Sequence, residues 1–329
     1  IRSEAQALPD VHLLSSAEEE RETKGRDKMY NGVINVYKEK GYTSHDVVAK
    51  LRGILRQRKI GHTGTLDPDA EGVLPVCLGS GTKLCDMLTD RDKTYRAVLL
   101  LGKKTDTQDI SGEVLEEKEV AASEEEIVQA VMSFQGPYEQ IPPMYSALKV
   151  NGKKLCDLAR EGQTVERKAR RITIYSIHIE KIEIPRVTMT VHCSKGTYIR
   201  TLCEDIGEKL GCHGCMESLL RTASGGFLLE DARKLSEIEA LRDAGRIEEA
   251  VLPTDKALAC YPAVIVKDEK GDKLLHNGNP FSPAMAIGKE GKYIEDLKKT
   301  PVRVYDSSGK FVGVYQYRRG KDWFQPVKI

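Results

Sequence analysis

The chain has 329 residues, with 51 Lys and Arg against 50 Asp and Glu and a formal net charge of +1. That length can bury a sizeable core, most simply as two domains. The balanced charge excludes a polybasic protein that binds nucleic acid by net charge alone, so any such role rests on local clusters. No apolar run approaches the roughly 20 residues that span a bilayer, and the N-terminus lacks the basic-then-apolar pattern of a signal peptide. A soluble, cytoplasmic protein without membrane contact is therefore expected. Eight scattered cysteines show no disulfide framework. Cys212-His213-Gly214-Cys215 has metal-like spacing but no second ligand pair beside it, and reads as strand and helix core.

Residues 1–28 are polar and begin without Met, whereas Met29-Tyr30-Asn31-Gly32 opens a patterned region, so a disordered or non-native leader before a natural start at Met29 is expected. Val33 to Tyr37 alternates like a strand, and Thr43-Ser44 precedes Val47, Val48, Leu51, Ile54 and Leu55 at helical spacing. The string Gly61-His62-Thr63-Gly64-Thr65-Leu66-Asp67-Pro68-Asp69-Ala70-Glu71-Gly72-Val73-Leu74-Pro75 follows. Asp-Pro alone is a common helix start, but three glycines and two prolines around one carboxylate describe a loop that holds a side chain still.

Lys93 to Leu101 predicts a buried strand, and Thr105 to Gly112 a polar, turn-rich connection. Ser123-Glu124-Glu125-Glu126 has capping-box form before an amphipathic helix reaching Phe134. Gly136 to Gly152, with Pro137, Pro142 and Pro143, predicts a long loop, a feature that is usually functional. Strands at 171–180 and 186–193 lead through Lys195-Gly196-Thr197 into a helix that runs to Leu210 and stops at Gly211. Together these elements predict an α+β fold with a mostly antiparallel mixed sheet. The character changes near Pro253: short strands at 263–267, 302–305 and 311–317, split by tight turns, predict a small β-barrel over 253–329. Basic clusters at Lys50–Lys59, Arg167–Arg171 and Arg318–Lys321 each read singly as a solvated face, and together, flanking glycine-rich loops, they predict a distributed RNA footprint.

The fifteen-residue string resembles the catalytic-loop signature of the TruB family of tRNA pseudouridine synthases, whose aspartate is catalytic; Asp67 holds that place. His192-Cys193-Ser194-Lys195-Gly196-Thr197-Tyr198-Ile199-Arg200 resembles the family's second strong motif, whose arginine pairs with that aspartate. The resemblance spans about residues 30–329 and is strongest over 30–225. It implies a pseudouridine synthase catalytic domain over 29–252 and, from Leu275-His276-Asn277-Gly278 and Val302-Arg303-Val304-Tyr305, a PUA-like RNA-binding domain beyond it. It also implies that Tyr95 stacks on a flipped base, that Tyr198, Arg200 and Leu219 line the pocket, that His62 contacts RNA, and that Lys38 belongs to the substrate-binding set. The family's usual proline after that lysine is Glu39 here, which weakens the rigidity of the turn.

The implied reaction converts uridine 55 in the T loop of tRNA to pseudouridine. It breaks the bond between ribose C1′ and uracil N1, turns the base and rejoins it through C5, so no atoms enter or leave. One ionised carboxylate can serve, either as nucleophile on C1′ or as base at C2′. No metal or nucleotide cofactor is implied, and the partner is the T arm of tRNA, met by a monomer with no obligatory protein partner. Two rivals are a guide-dependent relative inside a ribonucleoprotein and a noncatalytic RNA-binding or tRNA-folding protein on the same scaffold. Gly79-Ser80-Gly81-Thr82-Lys83 lacks the spacing of a phosphate-cradling loop.

Overall fold

A computed structural model of the protein describes residues 29–329 other than Asn151 and Glu290, so the expected leader lies outside the described residues. The larger part runs β1 (Gly32–Lys38), α1 (Ser44–Leu55), β2 (Ile60–His62), β3 (Glu71–Leu78), α2 (Cys85–Thr89), β4 (Lys93–Leu101), β5 (Lys103–Thr105) and β6 (Val114–Glu117). It continues through α3 (Glu124–Met132), β7 (Gly136–Gln140), β8 (Lys149–Val150), β9 (Lys153–Lys154), α4 (Leu155–Arg160), β10 (Arg170–Glu183), β11 (Arg186–Cys193), α5 (Ile199–Leu210), β12 (Gly214–Ser224), β13 (Phe227–Leu228) and α6 (Leu235–Asp243).

The central sheet has the order β1-β3-β12-β4-β11-β10-β7, with β2 on β3 and β13 on β12. All its ladders are antiparallel except a short parallel contact between β12 and β3. This is the mostly antiparallel mixed sheet that the sequence predicts. β4, at its centre, alternates Tyr95, Ala97 and Leu99 into the core, as a strand with one strongly apolar face must. Helix α1 begins at a capping box in which the Thr43 hydroxyl accepts from Asp46 N–H and the Asp46 carboxylate accepts from Thr43 N–H. It buries Val47, Val48, Leu51, Ile54 and Leu55 at the predicted spacing. Helix α3 has the same device at Ser123 and Glu126 but stops at Met132, two residues before Phe134.

Two expectations change. Gly136 to Gly152 is not loop throughout: Gly136–Gln140 pairs with Arg170–Ile174 as an edge strand, where Pro137 costs no ladder bond on the open side and Tyr138 packs on the core. In the Gly61–Pro75 string the ends belong to β2 and β3, and only residues 63–70 form the loop. Asp67 starts no helix; its carbonyl accepts from Ala70 N–H at 3.1 Å and closes a turn.

Helix α5 buries Ile199, Leu202, Cys203 and Ile206, and Gly211 ends it in the left-handed conformation at φ +74°. On its flank the Asp205 carboxylate accepts from the Tyr138 hydroxyl. Burial, helped by the charge of Glu208, pushes Asp205 up to about 6. A raised carboxyl favours the fold below its unfolded pKa and loses that contribution as pH rises through its folded one, so ionised Asp205 weakens the fold above about pH 6. Asp205→Asn is expected to raise the melting temperature by about 2–4 °C at pH 7.5, corresponding to about 1 kcal/mol after solvent screening. Calorimetry at pH 7.5 and 4.5 checks it: the gain should shrink at the lower pH, which still lies above the unfolded value of 3.8, and equal gains at both would refute it.

The C-terminal part comprises α7 (Thr254–Ala257), β14 (Ala263–Val266), α8 (Glu269–His276), β15 (Ala286–Gly288), β16 (Val302–Tyr305), β17 (Phe311–Arg318) and β18 (Trp323–Lys328). Its sheet order is β15-β14-β16-β17-β18, around a core that includes Val264, Val304, Tyr315 and the stacked pair Phe281–Phe324 at 5.3 Å. The three strands expected there are present. Ala257 and Leu258 pack with Val33, Leu84 and Leu88, so the segment between Pro253 and Ala263 covers the larger part's core.

Candidate active site

Asp67 rides on the loop between β2 and β3, and the loop is held from several sides. Leu66 and Ala70 are buried in the main core on either side of it. The Ser44 hydroxyl accepts from Leu66 N–H at 2.9 Å, Gly41 N–H donates to the Pro68 carbonyl at 2.9 Å, and Thr63 N–H donates to the Pro75 carbonyl at 3.0 Å. Gly64 and Gly72 have φ of +111° and +104°, conformations that side chains rarely adopt. At Gly72 a Cβ would also lie 2.3 Å from the Arg221 carbonyl, so this is where β3 and β12 can meet backbone to backbone.

Arg200, on the first turn of α5, faces the loop. Its Nη2 is 3.1 Å from the Asp67 carboxylate, and its Nη1 is 3.6 Å from that of Asp109. It also donates to the carbonyls of Thr107 at 2.9 Å and Tyr145 at 2.8 Å. The arginine side chain is 6% exposed and the Asp67 side chain 42%, so the pair has its cation fixed in the protein and its carboxylate open to a substrate. A buried guanidinium that satisfies two carboxylates and two carbonyls is held in a single geometry. The pairing expected from the second motif is what the structure contains.

The carboxylate borders a cavity of about 600 Å³ lined by Tyr95, Tyr198, Arg200, Leu219, Lys93 and Arg221 among others. Tyr95 enters from β4 and faces Arg221 across the β4–β12 ladder. Burial raises its phenol, and the Arg221 guanidinium beside it offsets part of that rise. Tyr198 is the residue before α5; Gln140 clamps its backbone, accepting from Tyr198 N–H at 2.8 Å and donating to its carbonyl at 3.0 Å. Burial raises the Tyr198 phenol as well. Leu219 projects from β12, opposite Ala97 of β4. An aromatic, an apolar side chain and an open carboxylate around a cavity of this size suit a single nucleobase taken out of its stack. At the mouth stand Arg170, Arg171 and Lys195, cations suited to flanking phosphates.

The structure thus brings Asp67, Tyr95, Tyr198, Arg200 and Leu219 together. His62 lies at the end of β2 with Nδ1 3.1 Å from the Gly64 carbonyl and its ring edge-on to His45 at 5.1 Å. Burial lowers its pKa, which favours the neutral ring. Lys38 does not face the cavity. Fully buried behind the loop, it donates to the carbonyls of Ala70 at 2.6 Å, Pro68 at 3.1 Å and Glu39 at 3.3 Å, and burial lowers it to about 8. The substrate-binding role expected of it becomes one of loop support. Asp109, Gln140, Lys93 and Arg221 join the site without having been singled out. Each is a polar residue inside an apolar or turn-rich segment, and that mismatch is the sequence signal that could have marked them.

A carboxylate poised at a nucleobase-sized cavity on a mixed sheet is the arrangement expected of a pseudouridine synthase. The same fold occurs in the protein of an archaeal box H/ACA Nop10–Cbf5 complex, with a TM-score of 0.68 and 25% identity over 92% of this chain and 86% of that one. It occurs also in a Cbf5–Nop10–Gar1 complex, with a TM-score of 0.66 and 29% identity over 87% and 78% of the two chains. The profile of the TruB family pseudouridylate synthase N-terminal domain matches residues 52–199, and that of the tRNA pseudouridylate synthase B C-terminal domain matches residues 200–259. The tRNA pseudouridine synthase B of Lachnoclostridium phytofermentans is 53% identical over 91% of this chain and 99% of its own length. That of Staphylococcus aureus strain MSSA476 is 41% identical over 92% and 99%. The chain belongs to the TruB family of pseudouridylate synthases and is an isomerase of uridine in RNA.

Proposed function

We propose that Asp67 is the group with which this chain, a tRNA pseudouridine synthase acting at uridine 55, breaks and remakes the glycosidic bond. The observation that carries this reading is the Asp67–Arg200 pair, 3.1 Å apart at the edge of the cavity. The flipped uracil stacks on Tyr95, with Tyr198 and Leu219 closing the pocket around it. Asp67 attacks C1′, or removes the proton at C2′, as the C1′–N1 bond breaks and its electron pair leaves with N1. The uracil turns within the cavity, and C5 bonds to C1′ as the ester to Asp67 breaks, or as Asp67 returns the proton to C2′. The C5 proton then moves to solvent, and N1 takes one up. Arg200 fixes the orientation of the carboxylate throughout and sets a positive charge beside it. His62, neutral and bound within the loop, positions RNA and transfers no proton.

The chain acts as a monomer in the cytoplasm, with the T arm of tRNA as its partner. The extent of the match to tRNA pseudouridine synthase B relatives supports this over the guide-dependent reading. Incubating the purified chain with an unmodified tRNA transcript tests it: pseudouridine should appear at position 55 without guide RNA or added protein. No product, or product only when a guide is added, would overturn the reading.

Residues 253–329 we read as a PUA-like barrel that adds distant phosphate contacts through Arg318, Arg319 and Lys321, beyond the catalytic domain of 29–252. Because Ala257 and Leu258 cover the catalytic core, the cut that tests this division falls at Ala263, which keeps them and removes Val314 and Phe311 from the same cluster. Removing residues 263–329 is expected to raise KM for full-length tRNA about tenfold or more and to flatten the salt dependence of binding. Turnover on an isolated T-arm hairpin should stay within about threefold, since the cavity residues all precede the cut. A truncated chain that is folded by circular dichroism yet inactive on the hairpin would refute it.

A further inference from the structure

Two cations the reaction does not use are buried against the loop that carries Asp67. Arg221, on β12, is 1% exposed, the largest side chain so deeply buried, and Lys38, at the end of β1, is 0% exposed. Arg221 donates through Nε to the Val73 carbonyl at 2.7 Å and lies through Nη1 3.5 Å from that of Thr65. Lys38 donates to the carbonyls of Pro68 at 3.1 Å and Ala70 at 2.6 Å. In chain order the gripped carbonyls are Thr65, then Pro68 and Ala70 just beyond Asp67, then Val73, already within β3.

For stability alone, this arrangement is a poor choice. Withdrawing a guanidinium and an ammonium from water costs several kcal/mol each, and apolar side chains of similar volume serve a core at least as well. What the cations provide is direction: Lys38 binds two carbonyls of the loop, and Arg221 ties the loop at Thr65 to the strand that follows it at Val73, so the loop can neither slide along the sheet nor lift from it. The Arg221 fork reaches two carbonyls eight residues apart, which a single ammonium cannot do. The same guanidinium also stands beside the Tyr95 hydroxyl, so one side chain ties the stacking platform to the catalytic loop.

We propose that Arg221 is a positioning residue that, opposed by Lys38, fixes the distance between the Asp67 carboxylate and a base stacked on Tyr95. This rests on the reading of Asp67 as the reacting group. A loop displacement of about 1 Å is enough to cost about a hundredfold in rate, while phosphate contacts elsewhere carry most of the affinity for RNA.

The test uses the full chain and an unmodified tRNA transcript, with single-turnover rate, KM, tRNA affinity and melting temperature measured for Arg221→Lys, Lys38→Met and the double variant. Arg221→Lys keeps the charge and loses the fork, and should lower the single-turnover rate about a hundredfold with KM and affinity within about threefold. Lys38→Met should lower the rate about tenfold or more, and it decides the matter alone if Arg221→Lys does not fold. In the double variant the rate losses should multiply to less than their product, because both cations hold one loop, while the changes in melting temperature add. A folded Arg221→Lys with a wild-type rate would overturn the proposal, as would losses that multiply fully or fall equally on rate and affinity. Asp67→Asn is run alongside: turnover there would sink the reading of Asp67 itself, whereas a dead Asp67→Asn beside an unaffected Arg221→Lys would sink only the grip.

Discussion

Asp67→Asn is expected to lower turnover of unmodified tRNA by at least about 10⁴-fold and leave tRNA affinity within about threefold. The amide matches the carboxylate in shape but can neither attack C1′ nor take a proton from C2′, and loss of a reacting group typically costs this much or more. Affinity survives because it comes from cations along the RNA backbone, such as Arg170, Arg171 and Lys195 at the cavity mouth, and none of them depends on the Asp67 charge. Single-turnover assays, together with equilibrium binding of the same transcript, check both parts. Turnover within a hundredfold of wild type, in protein free of host enzyme, would remove Asp67 from the chemistry.

Arg200→Lys is expected to lower kcat about a hundredfold or more and to lower the melting temperature as well. In the native site one guanidinium serves Asp67, Asp109 and the carbonyls of Thr107 and Tyr145. An ammonium has the charge but not the planar fork, so at least one of these four groups loses its partner. The side chain is 6% exposed, and water cannot replace the missing bond. Loss of the Thr107 or Tyr145 contact loosens a neighbouring loop; loss of the Asp67 contact frees the carboxylate from the cation that orients it. Steady-state kinetics with a melting curve distinguishes this from a purely structural lesion, because kcat should fall far more than KM rises. A variant that melts lower yet turns over normally would show that the pair serves folding alone.

Much of the site was legible in the chain because its chemistry is concentrated in two unbroken strings. Glycines and prolines packed around Asp67 mark a backbone that must turn tightly beside a carboxylate. The run from His192 to Arg200 joins a strand to a helix start, so Arg200 falls on the first turn, where it can reach across to that loop. The capping box at Ser123 was equally plain, since a hydroxyl three residues before a carboxylate satisfies helix donors by purely local geometry, and Thr43-Ser44 marked the start of α1. Lys93 to Leu101 was plain as a buried strand, while the place of Tyr95 at the pocket came from the family resemblance.

What the sequence by itself determined, then, was the local material: the elements, the antiparallel character of the sheet, and the choice of Asp67, Tyr95, Tyr198, Arg200 and Leu219 as candidates, which the fold brings to one cavity. Tertiary structure alone decided the rest, because those questions turn on residues distant in the chain. Gly136–Gln140 reads as loop until β10 offers it an edge to pair with. Lys38 reads as a substrate ligand until β1 and β3 are paired, which sets it opposite Gly72 and turns its ammonium to the back of the loop. Arg221 reads as the charged end of a packing strand until the parallel contact of β12 with β3 brings it under Thr65 and Val73, more than 140 residues away in sequence. A string of residues records which groups are present and what their neighbours allow. Which carbonyl a buried cation grips is fixed only when the sheet closes and leaves that carbonyl as the partner within reach.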